Sequence, residues 1–556
     1  MIDDKILQVF VNYSQIIVDV YTEEKVEFTA YDKKFVMFIP NDPTHGVFVY
    51  IRSSDAKCDV PHVLESTIKL GDEQYQFVCL SEYGSQVNML LNLEDKVQIC
   101  LDKLIQLFSL SSKEKIGEYQ KEFMVYWNRY SHSRSSYSVY LEATDIFQNM
   151  NIYVHDSNVR LVGKGVNFND LTQKGKDKKH IWIERLEYEA YYIPITNVEG
   201  IKPPNAVHQW NKVDVINIVA NYQIDHISKK TFRMLEQTKP KMQNVILVFG
   251  MKVGGSVITF AMKVRFNNLR MRSLLERIQE DMVNVESLVT IRKDYAHMSL
   301  MIGNDLDLLN KSITVIGAGS LGSYVVDELA KNGARNIHVY DGDKLYSENV
   351  LRWNESYKLI GYNKANLMKL KIESIHPQVH ALAYDRYLSD EDLRAEINNR
   401  DMLIFTIGSS DSQLHYNRLL KKLKCSVPVI YCWLEAGGEY SHILVVNYQG
   451  HGCYECLYTN EDGVLVNNRA LCSDEKILSE NILRNGCGGT RAKYGTAIIL
   501  RTVSALLEII KNIVNGEIKE STLIDISLKK VERSRTKLYM DSCRCCGTMR
   551  GREFHD

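Results

Sequence analysis

The sequence predicts an α/β protein whose C-terminal half contains a doubly wound parallel sheet. Three observations lead to this prediction. A short apolar run at residues 313–316 is typical of a buried parallel strand. Glycines follow it in the spacing G-x-G-x-x-G, at Gly317, Gly319 and Gly322. A helix over residues 321–331 and a second apolar strand, 336–340, come next, which is the order of a β-α-β unit that opens a doubly wound sheet.

The glycine spacing predicts a site for a nucleotide. The first glycine permits a tight turn, the second lets the backbone approach a phosphate, and the third lets the helix pack close to the strand. After the second strand, Asp341 and Asp343 offer carboxylates that can bind a ribose hydroxyl. An NAD-dependent dehydrogenase has the same pattern, so the glycines alone leave that alternative open.

Further polar residues favour a nucleotide triphosphate over a dinucleotide. Asn349, Arg352 and Lys364 come just after the second strand, where a dehydrogenase needs no cluster of phosphate ligands. Asp411 follows the apolar strand 402–407 and can hold Mg²⁺. Cations neutralise phosphates and a carboxylate binds the metal, so these residues suit ATP chemistry.

The order of these motifs, G-A-G-S-L-G-S, D-G-D, N-V-L-R, G-Y-N-K, I-H-P and S-S-D, resembles the adenylating domain of ubiquitin-activating enzymes. Their bacterial relatives of the ThiF and MoeB type activate sulfur carriers. The resemblance covers about residues 298–556 and implies a Rossmann-like adenylating domain, ATP and Mg²⁺ as cofactors, and a homodimer in which Arg292 reaches the partner's ATP. Ser320 stands where these domains often have glycine.

Bulk properties limit the remaining functions. The 556 residues suggest two to four domains, and a formal net charge of −1 gives no electrostatic case for nucleic acid or for an anionic membrane. The N-terminus lacks a signal-peptide pattern, and no apolar run reaches the ~18 residues of a membrane helix. We therefore expect a cytoplasmic protein, in which the 12 cysteines are metal ligands, nucleophiles or buried thiols.

Residues 1–131 predict a small α+β domain. Strand-like runs at 15–20, 34–39, 46–51 and 75–78 precede amphipathic helices at 93–108 and 114–128. Cys79 follows the last strand; it is either a buried apolar residue or a nucleophile. Pro61-His62-Val63, the strand, Cys79 and the helix are similar in order to ubiquitin-conjugating enzymes, which implies that Cys79 is catalytic.

The similarity to conjugating enzymes is incomplete. These enzymes usually supply an asparagine that stabilises the oxyanion, and this chain has none at the matching place. His62 is the alternative. Cys58 and Cys100 are poorer candidates for the nucleophile than Cys79. Cys100 lies on the predicted helix and is expected to be packed.

Residues 132–288 form a predicted mixed α/β middle region without a chemical motif. Strands are expected at 151–155, 180–192 and 245–249, and helices at 213–222 and 269–283. The expected roles of His208, His226 and Trp210 are structural. A linker or docking domain is the simplest interpretation, and the third predicted domain covers 289–556.

Two C-x-x-C pairs lie in the C-terminal half. Together they supply the four thiolates of a tetrahedral zinc site: Cys453, Cys456, Cys543 and Cys546. The alternative is two unrelated pairs. The resemblance implies that such a zinc closes the adenylating domain. Cys545 is a spare thiol that can exchange with a neighbour.

Cys487 is the predicted nucleophile of the C-terminal half. It lies in Asn485-Gly-Cys-Gly-Gly-Thr, ahead of the apolar helix predicted over 494–514, where a helix dipole favours thiolate. The resemblance implies that it is the thioester cysteine. Cys472 is second choice, and Cys425 and Cys432 flank a strand and are expected in the core.

Together, these resemblances imply a fused activating and conjugating enzyme. ATP adenylates a protein C-terminus, Cys487 forms a thioester, Cys79 receives the acyl group, and an acceptor amine takes it last. The domain order resembles antiphage fusion proteins of the CBASS type, which implies a cyclic-oligonucleotide synthase with a flexible C-terminus, or a ubiquitin-like modifier, as acyl donor. Two alternatives remain: a sulfur-carrier activator whose N-terminal domain only binds, and a non-catalytic scaffold.

Overall fold

A computed structural model describes residues 4–40, 46–80, 91–131, 133, 135–168, 183–184, 187–205, 207–220, 226–267, 272–303, 306–354, 356–465, 468–484, 490–529 and 533–547. The chain divides into two compact units. The first takes in Met1–Gly165 and Trp182–Arg292, and the second takes in Val166–Ile181 and Lys293–Asp556. The described helices include none with the length and apolar character that a bilayer span requires.

The first unit begins with an antiparallel six-stranded sheet of order β1-β2-β3-β4-β6-β5. Its elements are α1 (Asp4–Val11), β1 (Ile16–Tyr21), β2 (Lys25–Ala30), β3 (Lys33–Phe38), β4 (Phe48–Arg52), β5 (Val63–Leu70), β6 (Glu73–Val78) and α2 (Leu93–Ser109). Helix α2 buries Val97, Leu101 and Leu104 against Phe28 and Phe35 of the sheet. The three- and four-residue spacing of the α2 side chains therefore predicted this packing correctly.

The helix predicted over 114–128 is two helices, α3 (Ser112–Lys121) and α4 (Phe123–Arg129). They meet at Glu122, whose backbone φ of −110° and ψ of 22° leave the helical region. The aromatic residues of α4 pack on the next sheet, and the Trp127 indole donates a hydrogen bond to the Leu288 carbonyl over 3.0 Å. Burial of Phe123 and Trp127 there explains the break.

An eight-stranded mixed sheet forms the rest of the first unit, in the order β10-β8-β11-β12-β13-β14-β7-β9. Its strands are β7 (Ser136–Tyr140), β8 (Gln148–His155), β9 (Asn158–Val162), β10 (Ile183–Glu184), β11 (Glu189–Ile195), β12 (Asn244–Val253), β13 (Ser256–Phe266) and β14 (Met282–Arg292). Its helices are α5 (Lys212–Ala220), α6 (His226–Gln237) and the single turn α7 (Leu274–Glu276). The division between residues 131 and 132 stays a prediction, although each sheet has its own core.

The helix predicted over 269–283 is present in part among the residues described, as a helical segment from Leu274 to Asp281. After α7, a π-helical turn spans Arg277–Asp281, and strand β14 begins at Met282. Strand β14 hydrogen-bonds to β13 on one side and to β7 on the other. Pairing of Met282 with Phe266 of β13 explains why the helical segment ends at Asp281 and not at Val283. The strand expected over 180–192 is likewise present only as β10 and β11 in the described residues.

The second unit contains the predicted doubly wound sheet, of order β17-β16-β15-β18-β19-β20-β23-β24. Strands β15 (Ser312–Ile316), β16 (Asn336–Tyr340), β17 (His380–Tyr384), β18 (Met402–Phe405) and β19 (Val429–Leu434) are parallel. Strands β20 (Tyr440–Val446), β23 (Thr522–Ser527) and β24 (Arg533–Lys537) extend it antiparallel. The α/β fold class is therefore confirmed.

Seven helices and one small hairpin complete the described part of the second unit. The helices are α8 (Tyr295–Met301), α9 (Ser320–Lys331), α10 (Lys364–Ile375), α11 (Asp390–Asn399), α12 (Ser410–Lys422), α13 (Glu475–Glu480) and α14 (Thr496–Val514). The hairpin is β21 (Ile482–Arg484) with β22 (Thr490–Ala492). The strand order reverses between β15 and β18, and ligands of doubly wound sheets bind at the carboxyl ends of strands at such a reversal.

Candidate nucleotide site and thiol centres

A cleft of about 340 Å³ opens at the carboxyl ends of β15, β16 and β18. Its floor combines backbone of the glycine turn with apolar and aromatic side chains. The lining residues are Ile316, Gly317, Gly319, Tyr340, Asp341, Asp343, Lys364, Tyr387, Leu388, Thr406, Ile407, Gly408, Ser409, Ser412 and Tyr416. Five of the predicted nucleotide-site residues, two glycines, two aspartates and a lysine, therefore lie together in one cleft.

The glycine turn needs glycine for two different reasons. Gly317 has a φ of +96°, and an added Cβ would lie 2.9 Å from Ile407 Cγ2. At Gly322 an added Cβ would lie 1.9 Å from the Gly317 carbonyl oxygen and 2.5 Å from Thr406 Oγ1. Gly319 differs, because a Cβ there would meet nothing within 4 Å. The space in front of Gly319 is thus open to a ligand in the cleft.

The two aspartates after β16 have different surroundings. Asp341 is buried, and its carboxylate accepts hydrogen bonds from the backbone N–H of Ala318 at 2.7 Å and of Asp343 at 2.8 Å. Burial raises the pKa of Asp341, because removal from water disfavours the charged carboxylate. Asp341 therefore fixes the glycine turn against the end of β16, rather than presenting a free carboxylate.

Asp343 is more exposed and meets a cation and a phenol. Lys364 Nζ lies 3.1 Å from Asp343 Oδ2, and the Tyr387 hydroxyl donates to Asp343 Oδ1 over 2.7 Å. Burial would raise the pKa of Asp343, but the Tyr387 hydrogen bond and the Lys364 charge outweigh it and lower that pKa. The side chain of Lys364 is buried at the start of α10, so the cleft holds a preformed carboxylate–ammonium pair.

Three predicted ligands, Asn349, Arg352 and Asp411, are near lining residues in the sequence but do not line the cleft themselves. Asn349 lies in a 3-10 turn, where its side-chain oxygen accepts from the Tyr346 N–H over 3.4 Å. Arg352 donates to the Ala492 carbonyl over 2.7 Å. Asp411 is exposed in the first turn of α12, between Ser409-Ser410 and Ser412. Their nucleotide roles remain predictions.

Sequence reasoning missed several residues of the site. Thr406 donates its hydroxyl to the Gly317 carbonyl over 2.6 Å, and the Trp353 indole donates to the Ala318 carbonyl over 2.6 Å. The Tyr387 ring lies 3.2 Å from the position of a Cβ on Gly342. Thr406 could be found from its place after strand β18, whereas Tyr387 and Trp353 carry no sequence signal for this role.

The structure brings the two C-x-x-C pairs together. The Sγ atoms of Cys453, Cys456, Cys543 and Cys546 all lie within 4.8 Å of one another, and all four residues are buried. Three sulfur pairs are separated by 4.0, 3.8 and 3.4 Å. Tetrahedral zinc with Zn–S bonds of ~2.3 Å requires sulfurs about 3.8 Å apart. The donor set and spacing therefore fit zinc.

Cys545, the spare thiol, lies outside this group of four. Its Sγ accepts from the Asn417 amide over 3.4 Å, and the same amide contacts Cys453 Sγ at 3.6 Å. The expected exchange of ligands is therefore not needed to complete four thiolates. Cys425 and Cys432 are buried, as expected.

Cys487, the predicted thioester cysteine, lies outside the described residues. The described chain on either side of it is the hairpin of β21 and β22, followed by helix α14. The second choice, Cys472, is exposed, but partial desolvation and the charges of Asp525 and Glu435 raise its pKa to about 11. A thiol of that pKa is a weak nucleophile near neutral pH.

Cys79 and His62 lie on neighbouring strand ends of the first unit. The Cys79 N–H donates to the His62 carbonyl over 2.8 Å, and Cys79 is partly exposed. The His62 ring lies between two carboxylates: Nε2 is 3.5 Å from Glu118, and Nδ1 is 3.4 Å from Glu122. The two poorer candidates have raised pKa values, because burial raises that of Cys58 and raises that of Cys100 to about 12.

Arg292, expected to reach a partner's ATP, is the last residue of β14 and donates to the Val257 carbonyl over 2.9 Å. It belongs to the first unit. The role expected for it remains a prediction.

Comparison with known proteins identifies the second unit. Residues 296–546 match the model of the ThiF family. We call residues 296–546 the ThiF-family domain, after the model that they match. The match begins in α8 and ends at the last of the four clustered cysteines, so the ThiF-family domain includes both the cleft and the cysteine cluster.

Individual relatives have low sequence identity and cover different shares of the chain. It is 22% identical over 454 residues to the ATP-dependent ubiquitin transferase-like protein Cap2 of Pseudomonas aeruginosa, covering 78% of each chain. A tRNA threonylcarbamoyladenosine dehydratase of Bacillus subtilis is 29% identical over 140 residues, 24% of this chain and 54% of that protein. The Escherichia coli MccB structure with succinimide has a TM-score of 0.34 and 17% identity, covering 43% of this chain and 68% of that chain.

The resemblance to fused activating enzymes is thus supported along most of the chain, since the Cap2 similarity extends well beyond the ThiF-family domain. The match to the ThiF-family model and the likeness to Cap2 fit an ATP-dependent, ubiquitin-like activating protein.

Proposed function

We propose that this protein adenylates the C-terminus of a protein with ATP and passes the acyl group through two cysteines to an amine. The observation that carries the proposal is the cleft of the ThiF-family domain, which is lined both by the glycine turn and by the buried Lys364. A dehydrogenase site needs no cation beside the glycine turn. A site for the phosphates of ATP does need one, to neutralise their charge.

Four balanced steps make up the proposed reaction. A carboxylate oxygen of the donor protein attacks the α-phosphorus of ATP, and pyrophosphate leaves. The Cys487 thiolate then attacks the acyl carbon and AMP leaves with the mixed-anhydride oxygen. The Cys79 thiolate attacks the thioester, and Cys487 leaves as thiolate. Finally an amine attacks the Cys79 thioester, loses a proton and releases the Cys79 thiolate.

The chain's own residues bind and orient the nucleotide. Gly319 brings backbone close to the phosphates, and Lys364 neutralises their charge once the phosphates compete with Asp343. Arg352 supplies a second cation. Asp411 is the proposed ligand of Mg²⁺, whose chemistry is to neutralise phosphate charge; an exposed carboxylate in the first turn of α12 suits that hard ion.

The four clustered cysteines are the proposed zinc ligands. Bound zinc would hold the segment of Cys453 against the C-terminal segment of Cys543, which are 90 residues apart. The site is closed by four protein ligands, so its proposed role is structural.

In the first unit, Cys79 is the proposed conjugating cysteine. No asparagine stands at the position that conjugating enzymes use. Glu118 pairs with Lys121 over 2.6 Å, but Glu122, 3.4 Å from His62 Nδ1, offers a carboxylate that can attract an acceptor ammonium. The likeness to Cap2 supports two further proposals: that the acyl donor is a cyclic-oligonucleotide synthase or a ubiquitin-like modifier, and that the process is antiphage defence. A homodimer is proposed on the family resemblance, and the cytoplasmic location expected from the sequence stays a prediction.

ATP–pyrophosphate exchange with candidate carrier proteins tests the first step, and single cysteine variants test the relay. Cys487→Ala should retain exchange but form no thioester. Cys79→Ala should accumulate a thiol-sensitive acyl band on Cys487 and give no conjugate. A mixture of the two variants regains activity only if transfer occurs between chains.

Normal conjugation by Cys79→Ala would contradict the relay and favour the alternative function, a sulfur-carrier activator whose N-terminal domain only binds. Cys58→Ala is the matched control, because it removes another thiol of the same domain, one whose pKa is raised. This variant should conjugate normally.

A further inference from the structure

His62 and Cys79 form a hydrogen-bonded pair at one end of the first sheet. Strand β5 begins at Val63 and β6 ends at Val78, and these two residues face each other in the antiparallel ladder. Just beyond them, the Cys79 N–H donates to the His62 carbonyl over 2.8 Å. The backbone of Cys79, the proposed conjugating cysteine, is therefore held by His62.

His62 has a backbone conformation that residues other than glycine rarely adopt. Its φ is +64°, in the left-handed region, where the Cβ of an L-residue crowds the following carbonyl oxygen. Histidine enters this region more often than most residues do, but a strained conformation persists only where surrounding contacts hold it. Contacts that hold the backbone of His62 therefore also set the position of Cys79.

Three side chains of the α3–α4 segment hold His62, and they recur at every fourth position. Glu118 lies 3.5 Å from Nε2 of the His62 ring, and Glu122 lies 3.4 Å from its Nδ1. The Tyr126 hydroxyl accepts a hydrogen bond from the His62 backbone N–H over 2.6 Å. Of these three contacts, only the bond to Tyr126 involves the backbone, which is the part of His62 that is strained.

A neighbouring ring fixes the position of Tyr126. The Tyr126 side chain is buried, and its ring meets that of Tyr119 edge-on with 5.1 Å between the ring centres. Burial raises the pKa of Tyr126, and the charges of Glu122 and Cys79 add to that rise. The phenol therefore keeps its proton near neutral pH and lies close to Cys79.

We propose that Tyr126 is a positioning residue for the chemistry of Cys79. Its hydroxyl holds His62 in the left-handed conformation, and the His62 carbonyl in turn holds the N–H of Cys79. This inference rests on the proposed function, because it takes Cys79 as the cysteine that carries the acyl group. With the backbone of Cys79 fixed, an amine meets the thioester carbon in one geometry, as rapid acyl transfer requires.

Hydrogen exchange of the Cys79 amide in the full-length protein, measured by mass spectrometry with single-residue resolution, tests the structural part of the inference. Tyr126→Phe keeps the ring and removes the acceptor of the His62 N–H. We expect the Cys79 amide to exchange about fivefold faster in this variant, the equivalent of one ordinary hydrogen bond. In a His62→Gly background the same change should accelerate exchange less than about twofold, because glycine adopts a positive φ without restraint.

Release of an acyl group from Cys79 tests the part that concerns the reaction. The probe is the thioester of acetylglycine with 2-mercaptoethanesulfonate, which requires neither ATP nor a donor protein. The Cys79 thiolate attacks its carbonyl carbon and mercaptoethanesulfonate leaves. Added L-lysine then attacks the Cys79 thioester through an amine, loses a proton and releases the Cys79 thiolate. Mass spectrometry of the Cys79 peptide gives the rate of release.

Tyr126→Phe should lower the maximal rate of release about tenfold, within the ~100-fold loss that a small misplacement of reacting groups can cause. The lysine concentration for half-maximal rate should stay unchanged, because Glu122, the proposed site of attraction for the ammonium, remains in place. Tyr119→Phe is the matched control, since it removes the hydroxyl of the neighbouring buried tyrosine, which contacts the Asn205 amide over 3.4 Å. This control should exchange and release like the wild type.

Each contrary outcome has a distinct meaning. Wild-type exchange of the Cys79 amide in Tyr126→Phe, or an equal acceleration with His62 and with glycine at that position, would overturn the inference. A normal maximal rate of release in Tyr126→Phe would refute the positioning role and leave the proposed function intact. Failure of the wild type to pass the acyl group from Cys79 to lysine would refute the conjugating role of Cys79, and the positioning role with it.

Discussion

Replacing Gly319 with alanine should separate binding of ATP from stability of the fold. The backbone at Gly319 has φ −70° and ψ −158°, which alanine adopts without strain, and an added Cβ meets no atom within 4 Å. The fold should therefore tolerate the change. The new methyl group projects into the space that the phosphates are proposed to occupy, so one backbone hydrogen bond to a charged oxygen is lost. Such bonds contribute ~1.5–3 kcal/mol, which corresponds to a roughly 10–100-fold weaker Kd for ATP.

Gly322→Ala provides the contrast. Its Cβ would lie 1.9 Å from the Gly317 carbonyl oxygen, so α9 must move, and overpacking of this kind costs ~1–3 kcal/mol or more. We expect a lower Tm for Gly322→Ala, measured by differential scanning fluorimetry, and an unchanged Tm for Gly319→Ala. Gly117→Ala, where a Cβ also meets nothing within 4 Å, is the control that should neither weaken ATP binding nor lower the Tm. Wild-type ATP affinity in Gly319→Ala, measured by calorimetry, would refute the phosphate position.

Three further predictions concern metal, catalysis and thiol reactivity. Freshly purified protein should contain about one zinc per chain, lost in Cys453→Ser but kept in Cys545→Ser, because four thiolates suffice without Cys545; metal analysis without zinc would contradict the cluster assignment. Asp411→Ala and Arg352→Ala should each lower the rate of pyrophosphate exchange by the equivalent of ~3 kcal/mol. Asp390→Ala, which removes another exposed carboxylate, is the control. Normal exchange in Asp411→Ala and Arg352→Ala would show that the site is misassigned. Alkylation of Cys472 should rise about tenfold per pH unit between pH 8 and 10, since its pKa of about 11 leaves mainly thiol below that value; a plateau near pH 8 would contradict the raised pKa.

Local sequence determined those features in which a short stretch of chain can adopt only one conformation. The G-x-G-x-x-G spacing predicted the turn after β15, because Gly317 needs a positive φ and Gly322 admits no Cβ. The apolar runs at 313–316 and 336–340 predicted strands β15 and β16 closely, since both are short and buried on both faces. The two C-x-x-C pairs predicted a four-thiolate group, because cysteines in that spacing place two sulfurs on one side of a turn.

Other features depended on partners distant in sequence, and no local pattern contains them. Met282 and Val283, the end of the predicted helix, belong instead to a strand that lies between β13 and β7. Asp341 binds backbone rather than solvent, and Tyr387 reaches Asp343 from 44 residues away. Ser320 contacts Tyr494, 174 residues further along the chain, and Arg352 lies over the same ring. The sequence by itself therefore determined the fold of the C-terminal half and the types of residue in its cleft. Tertiary packing decided which side chains touch, because the direction and partner of a side chain depend on elements that local sequence does not specify.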